Sequence, residues 1–141
     1  MRILGIDYGT VRTGVAMSDP LGMLAHPLEA IKISYMKDLI DAIAALSMKN
    51  GVEKIIIGLP KHMNGDESDS SKKVRELASE LEKKLNIPIL LYDERLTTSA
   101  AEKLLIETDM SRKKRKEKID SLAASIILQG YLDSMPITGV E

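Results

Sequence analysis

Apolar positions come in short extended runs at the start of the chain, and helical periods alternate with buried runs in the rest. Arg2-Ile3-Leu4-Gly5-Ile6-Asp7 is an apolar run that stops at an acid and a glycine. Gly14-Val15-Ala16-Met17-Ser18 gives a second stretch, and residues 24–33 give a third after the Asp19-Pro20-Leu21-Gly22 turn. Three strands with such short connections predict an antiparallel meander. The period then changes. With Ser34 as N-cap, Met36, Leu39, Ile40, Ile43 and Ala44 recur at helical spacing until Asn50-Gly51 stops the helix.

Residues 54–60, KIIIGLP, form a continuous apolar run expected of a strand buried on both faces. Val74, Leu77, Ala78, Leu81 and Leu85 draw one stripe along a second helix, which Asn86 ends. Residues 87–94, IPILLYDE, read as another fully buried strand. Ser99 and Glu102 match a capping box ahead of a short third helix. A last helix is expected from about Glu117 to Asp133, with a frayed tail from about 134. The order β-β-β-α-β-α-β-α-α predicts an α/β domain, a mixed sheet with helices on both faces. No repeat, low-complexity stretch or linker divides residues 1–141, so they read as one domain.

Composition narrows the chemistry. With 44% hydrophobic and 29% charged residues the chain is globular in type. No apolar run approaches the roughly 20 residues that span a bilayer, so no membrane partner is expected. Zero cysteines exclude disulfides, thiolate chemistry and Cys-built zinc sites. MRILGID runs straight into a strand pattern without a leader-like apolar segment, and the cytoplasm is the expected location. A net charge of −1 gives no global pull on nucleic acid, and the aromatics are four tyrosines. Any such binding must use local patches that read phosphates and shape rather than stacked bases.

Three acids stand out. Asp7 ends a strand and precedes Gly9, Arg12, Thr13 and Gly14. Such a sequence serves equally as a structural turn or as a place where phosphate or metal nears the backbone. Glu94 leaves the last buried run beside Asp93, where Arg95 could simply pair with it and Thr97 or Thr98 could cap a helix. Asp120 shares a helix face with Ala123, Ala124, Ile127 and Tyr131. A carboxylate on such a face is costly to bury without a cation or hydrogen bonds, although an Asp in a first helical turn also suits the dipole. The two alanines would let the helix approach the sheet and carry Asp120 over the strand ends. Together the three carboxylates could hold two divalent metals about 3.5–4 Å apart for phosphodiester hydrolysis. That chemistry needs no histidine. His26, before Pro27, reads as structural, and for His62 a structural place outweighs an accessory phosphate role.

DYGTVRTGVAMSD, GLPKHMNGDES, DERLTT and KIDSLAASIIL stand in this order from residue 7 onward. In this order and spacing they resemble the YqgF/RuvX family, over nearly the whole chain to about Leu132. Its members are described as Holliday junction resolvases and as nucleases processing the 5′ end of pre-16S rRNA. Carried over residue by residue, the family's acidic triad falls on Asp7, Glu94 and Asp120. The resemblance implies an RNase H-like five-stranded sheet in the order 3-2-1-4-5 with strand 2 antiparallel, and Mg2+ or Mn2+ as cofactor. The commoner RNase H arrangement has an acid at the end of the fourth strand. Here that strand ends Ile57-Gly58-Leu59-Pro60, and Glu94 must reach across two strand spacings, about 9–10 Å. Gly58 leaves the intervening position open.

Arg112, Lys113, Lys114, Arg115, Lys116 and Lys118 crowd the approach to Asp120. A lone charge run is ordinarily a solvated loop, but its place beside a metal-ligand candidate favours phosphate binding. Arg12, Lys61 and Arg95 would complete a basic rim. Residues 63–71, MNGDESDSS, read as a mobile loop whose acids repel phosphate. The expected partners are pre-rRNA or branched DNA, and ribosomal precursor particles, for a monomer or homodimer. Two rivals remain. An actin-like ATPase or sugar kinase shares the Asp-x-Gly loop but needs two lobes, and a non-catalytic nucleic-acid-binding protein would have no need of all three acids.

Overall fold

The computed structural model describes residues 1–60, 69–94 and 121–135. Within them the chain runs through β1 (Arg2–Asp7), β2 (Gly14–Ser18), β3 (Ala25–Pro27), α1 (Met36–Lys49), β4 (Val52–Leu59), α2 (Asp69–Leu85), β5 (Ile89–Asp93) and α3 (Leu122–Ser134). The strands form one mixed sheet in the order β3-β2-β1-β4-β5. β2 is antiparallel to both neighbours, while β1, β4 and β5 run parallel. Short turns therefore join the antiparallel strands and helices make the crossovers, as the pattern of runs predicted.

Alternation along the strands feeds two cores. Leu4, Ile6, Ile55 and Ile57 pack with Leu39, Ile43, Leu77 and Leu81 of α1 and α2. Ile3, Ala16 and Ile56 pack on the opposite face with Ala124, Ile127 and Leu128 of α3. Full burial of each Leu or Ile contributes about 1.5–3 kcal/mol, so both layers hold the sheet firmly. α3 lies very close to β1. A Cβ at Gly5 would stand 2.7 Å from Leu128 Cβ and 3.1 Å from the Ala124 carbonyl. No helix among the described residues is long and apolar enough to cross a membrane.

Several local expectations are corrected. Tyr35, not Ser34, is the N-cap of α1, because its carbonyl accepts the first helical bond from the Leu39 N–H; no side chain caps this end. The third extended stretch narrows to a three-residue β3, followed by an isolated bridge between Thr13 and Ile31. Pro27 lacks the N–H that would continue the ladder. Asp69, Ser70 and Ser71 belong to the first turn of α2 rather than to a loop, and the buried Ser71 hydroxyl donates to the Pro60 carbonyl. β5 ends the order of strands and is only partly buried, with Leu90 40% exposed. The helix stops are as expected: Gly51 follows the Asn50 C-cap at φ 63°, and Asn86 takes φ 55° after α2. Of the last helix, residues 117–120 lie outside the described residues, as does the Ser99 to Glu102 capping box.

Candidate active site

The parallel strands β1, β4 and β5 end side by side, which in open α/β sheets is where ligands are met. Ile6 pairs with Ile57, and Gly58 with Tyr92. By alternation Asp7 falls on the face of Ile3, and Glu94 on the face of Tyr92, both against the α3 layer. There the two acids meet. Glu94 extends across β4, and its side chain hydrogen-bonds that of Asp7.

The contact has an electrostatic signature. Burial, then the negative charge of Asp7, the hydrogen bond to it and the charge of Asp93 push the Glu94 carboxyl up from 4.5 to about 7. Burial also raises Asp7 above its ordinary 3.8, while the hydrogen bond from Glu94 works in the lowering direction. A hydrogen bond between two carboxyls requires that one of them carry the proton, so Asp7 and Glu94 share it and titrate as a pair. Two partly buried carboxylates without a compensating cation hold a proton instead. They are hard oxygen donors, and their deficit of positive charge is what a divalent cation would fill. Among the described residues they form a pair; no group of three or more His, Asp or Glu side chains stands together there.

Helix α3 is anchored over the same end of the sheet. Ser121, at its N-cap and fully buried, accepts a hydrogen bond from the Val15 N–H at 3.0 Å. Val15 adjoins Gly14, the register partner of Asp7. Two turns along, Gln129 Oε1 accepts from the Ala25 N–H at 2.9 Å, and its Nε2 donates to the Met23 carbonyl. Neither Ser121 nor Gln129 was singled out in the sequence. A Ser after Asp120 reads as part of a helix start, yet its hydroxyl serves a strand. Ala124 packs on the sheet as expected, but Ala123 is exposed. The close approach rests on Gly5 with Ala124, not on the alanine pair.

The remaining candidates divide. Arg12 is exposed on the loop between β1 and β2, next to the Asp7 end. The space at Gly9 in that loop is taken by the loop's own Arg12 carbonyl, which a Cβ would strike, so Gly9 serves the turn. Asp120, Lys61, His62, Arg95 and the run Arg112, Lys113, Lys114, Arg115, Lys116 and Lys118 lie outside the described residues. His26 lies exposed in the edge strand β3, paired with Met17.

The sequence profile of the RuvX family, described as Holliday junction resolvase, matches residues 1–134. The chain belongs to this family. A protein of Bacillus cytotoxicus is 48% identical over 136 residues, 95% of this chain and 99% of the relative. One of Listeria innocua is 50% identical over 139 residues, again 95% and 99%. Both are named "Putative pre-16S rRNA nuclease". Among solved structures, Thermus thermophilus RuvC in complex with Holliday junction substrate superposes with a TM-score of 0.63 at 14% identity, covering 94% of this chain and 95% of that one. The fowlpox virus Holliday junction resolvase gives 0.61 at 14%, covering 96% and 100%. The family and the fold agree with the strand order, and the fold is RNase H-like.

Proposed function

We propose that this RuvX-family chain is a metal-dependent endonuclease that hydrolyses phosphodiester bonds in structured nucleic acid, with the 5′ end of pre-16S rRNA as its substrate. The observation that carries the reading is the contact of Glu94 with Asp7 across β4, at the carboxyl ends of the parallel strands. The name carried by relatives of about half identity supports the choice of substrate. Asp7, Glu94 and Asp120 would hold magnesium or manganese, and Ser121, the residue after Asp120, is hydrogen-bonded to Val15 near the Asp7 end of the sheet. The metal, when bound, supplies an activated water and neutralises charge on the phosphate.

The chain's own groups do the rest. On binding the cation the Asp7–Glu94 pair would release its shared proton to solvent, leaving both carboxylates charged. The packed layer of α3 keeps water from the underside of the pair. Arg12, Lys61, Arg95 and the basic residues 112–116 would hold the phosphate backbone, positioning it without reading bases. The cell compartment that fits this substrate is the cytoplasm, and the fitting partner is a ribosomal precursor particle.

Junction resolution is the second reading, favoured by the description of the family. It needs a homodimer with two sites facing opposite strands. The purified protein, incubated with magnesium or manganese, separates the two on pre-rRNA fragments and four-way DNA junctions. Cleavage near the mature 16S 5′ end with intact junctions is expected. Paired symmetric nicks in the junction by a dimer would decide for resolution, and no cutting of either substrate would refute both.

A further inference from the structure

Gly58 occupies an unusual place for a glycine. It lies inside a buried strand, on the face where Ile56 packs, so an apolar side chain would ordinarily follow there. Its φ lies outside the left-handed region, so the backbone conformation does not demand glycine. A glycine in a strand interior then marks a place where something approaches closely.

Two groups do. A Cβ at position 58 would stand 2.7 Å from Glu94 Oε1, 3.0 Å from Glu94 Cγ and 2.5 Å from Ile127 Cδ1. β4 lies between β1 and β5, so the path from Glu94 to Asp7 runs over this strand. We infer that Gly58 is a positioning residue: its missing side chain opens the passage through which Glu94 reaches Asp7, and Ile127 of α3 closes that passage from above. The two atoms closer than 3.0 Å, Glu94 Oε1 and Ile127 Cδ1, are the far ends of flexible side chains. An added methyl would therefore be accommodated by swinging Glu94 and Ile127 aside, not by unfolding the sheet. The displaced Glu94 would lose its partner. This role rests on the reading of Asp7 and Glu94 as the catalytic pair.

The test uses G58A, the relieved variant G58A/I127V, E94Q, and the combination G58A/E94Q, on a pre-rRNA fragment. Ile127→Val removes the Cδ1 contact, so the double variant keeps its fold even if G58A alone does not. Expected are a kcat lowered at least ~100-fold at unchanged KM in G58A/I127V, as for other small misplacements of a reacting group. The rise in melting temperature on adding manganese alone should vanish with it, and G58A should cost E94Q nothing further. If E94Q is inactive while G58A/I127V keeps wild-type kcat and the manganese shift, Gly58 only serves packing and the inference falls. Wild-type cleavage by E94Q would instead refute the catalytic pair, and the role of Gly58 with it.

Discussion

Glu94→Gln should make the metal-free protein more stable at pH 8. The Glu94 carboxyl sits at about 7 when folded against an ordinary 4.5. A raised carboxyl means that the folded state holds the proton more tightly than the unfolded chain. Its stabilising contribution is complete below about pH 4.5 and is lost as pH rises through about 7. At about 1.36 kcal/mol per pH unit the upper bound is about 3.4 kcal/mol. Glu94 is only partly buried, and solvent screening reduces this to about 1–2 kcal/mol. Glutamine keeps the donor to Asp7 but removes the second charge, so the variant escapes the loss. Melting curves in EDTA from pH 5 to 8 measure it. The two proteins should melt together near pH 5 and separate by about 3–8 °C at pH 8, with the variant higher. Groups that do not touch the Asp7–Glu94 pair are common to both and cancel. Parallel profiles, or a variant that melts lower at pH 8, would refute the shared proton.

Asp7→Asn, Glu94→Gln and Asp120→Asn should each nearly abolish cleavage, non-additively because they act as one unit; a variant cutting at wild-type rate removes that residue from the set. Manganese at 100 times its Kd should stabilise wild type by about 2.7 kcal/mol and these variants less, and equal shifts in wild type and Asp7→Asn would argue against a common site. Ser121→Ala leaves the buried Val15 N–H without its partner and should cost about 1–3 kcal/mol; a larger loss of the manganese shift than of stability would show that this bond also places Asp120, and an unchanged shift that it does not. Replacing Lys113, Lys114 and Lys116 with Ala should flatten the salt dependence of duplex binding by about 0.9 in log affinity for each phosphate that these lysines neutralise, whereas an unchanged slope would make the run a solvated loop.

The architecture was legible because connection length separates the two kinds of strand pair. Turns of a few residues around Gly9 and Gly22 force β1, β2 and β3 into a meander, and helical periods between β1, β4 and β5 force parallel crossovers. What was illegible depends on neighbours distant in the chain. IPILLYD is apolar enough for a central strand, yet among the described residues it pairs with β4 alone, and Leu90 is left 40% exposed. Periodicity grouped Ala123 with Ala124, but the rotation of α3 about its axis is set by Leu128 over Gly5 and by the bonds at Ser121 and Gln129. Those bonds join residues 106 and 104 positions apart. No local pattern announces them.

The site shows the same division, with an energetic reason. Asp7 and Glu94 were readable as acids at strand ends, because a carboxylate closing a buried run needs an explanation in solvent or in chemistry. Their meeting depended on what the strand between them lacked. A side chain at position 58 would have met Glu94 and Ile127 and closed the gap. The fold instead presses two acids together, which the metal-free chain tolerates by holding a proton near neutral pH. Burial and mutual repulsion of the two carboxyls work against the folded state as that proton is lost. An apolar pair of similar volume would have served the fold better. A cluster kept against the interest of stability is where function is to be sought, and Asp120, which precedes the Ser121 that accepts from Val15, is the third member to test.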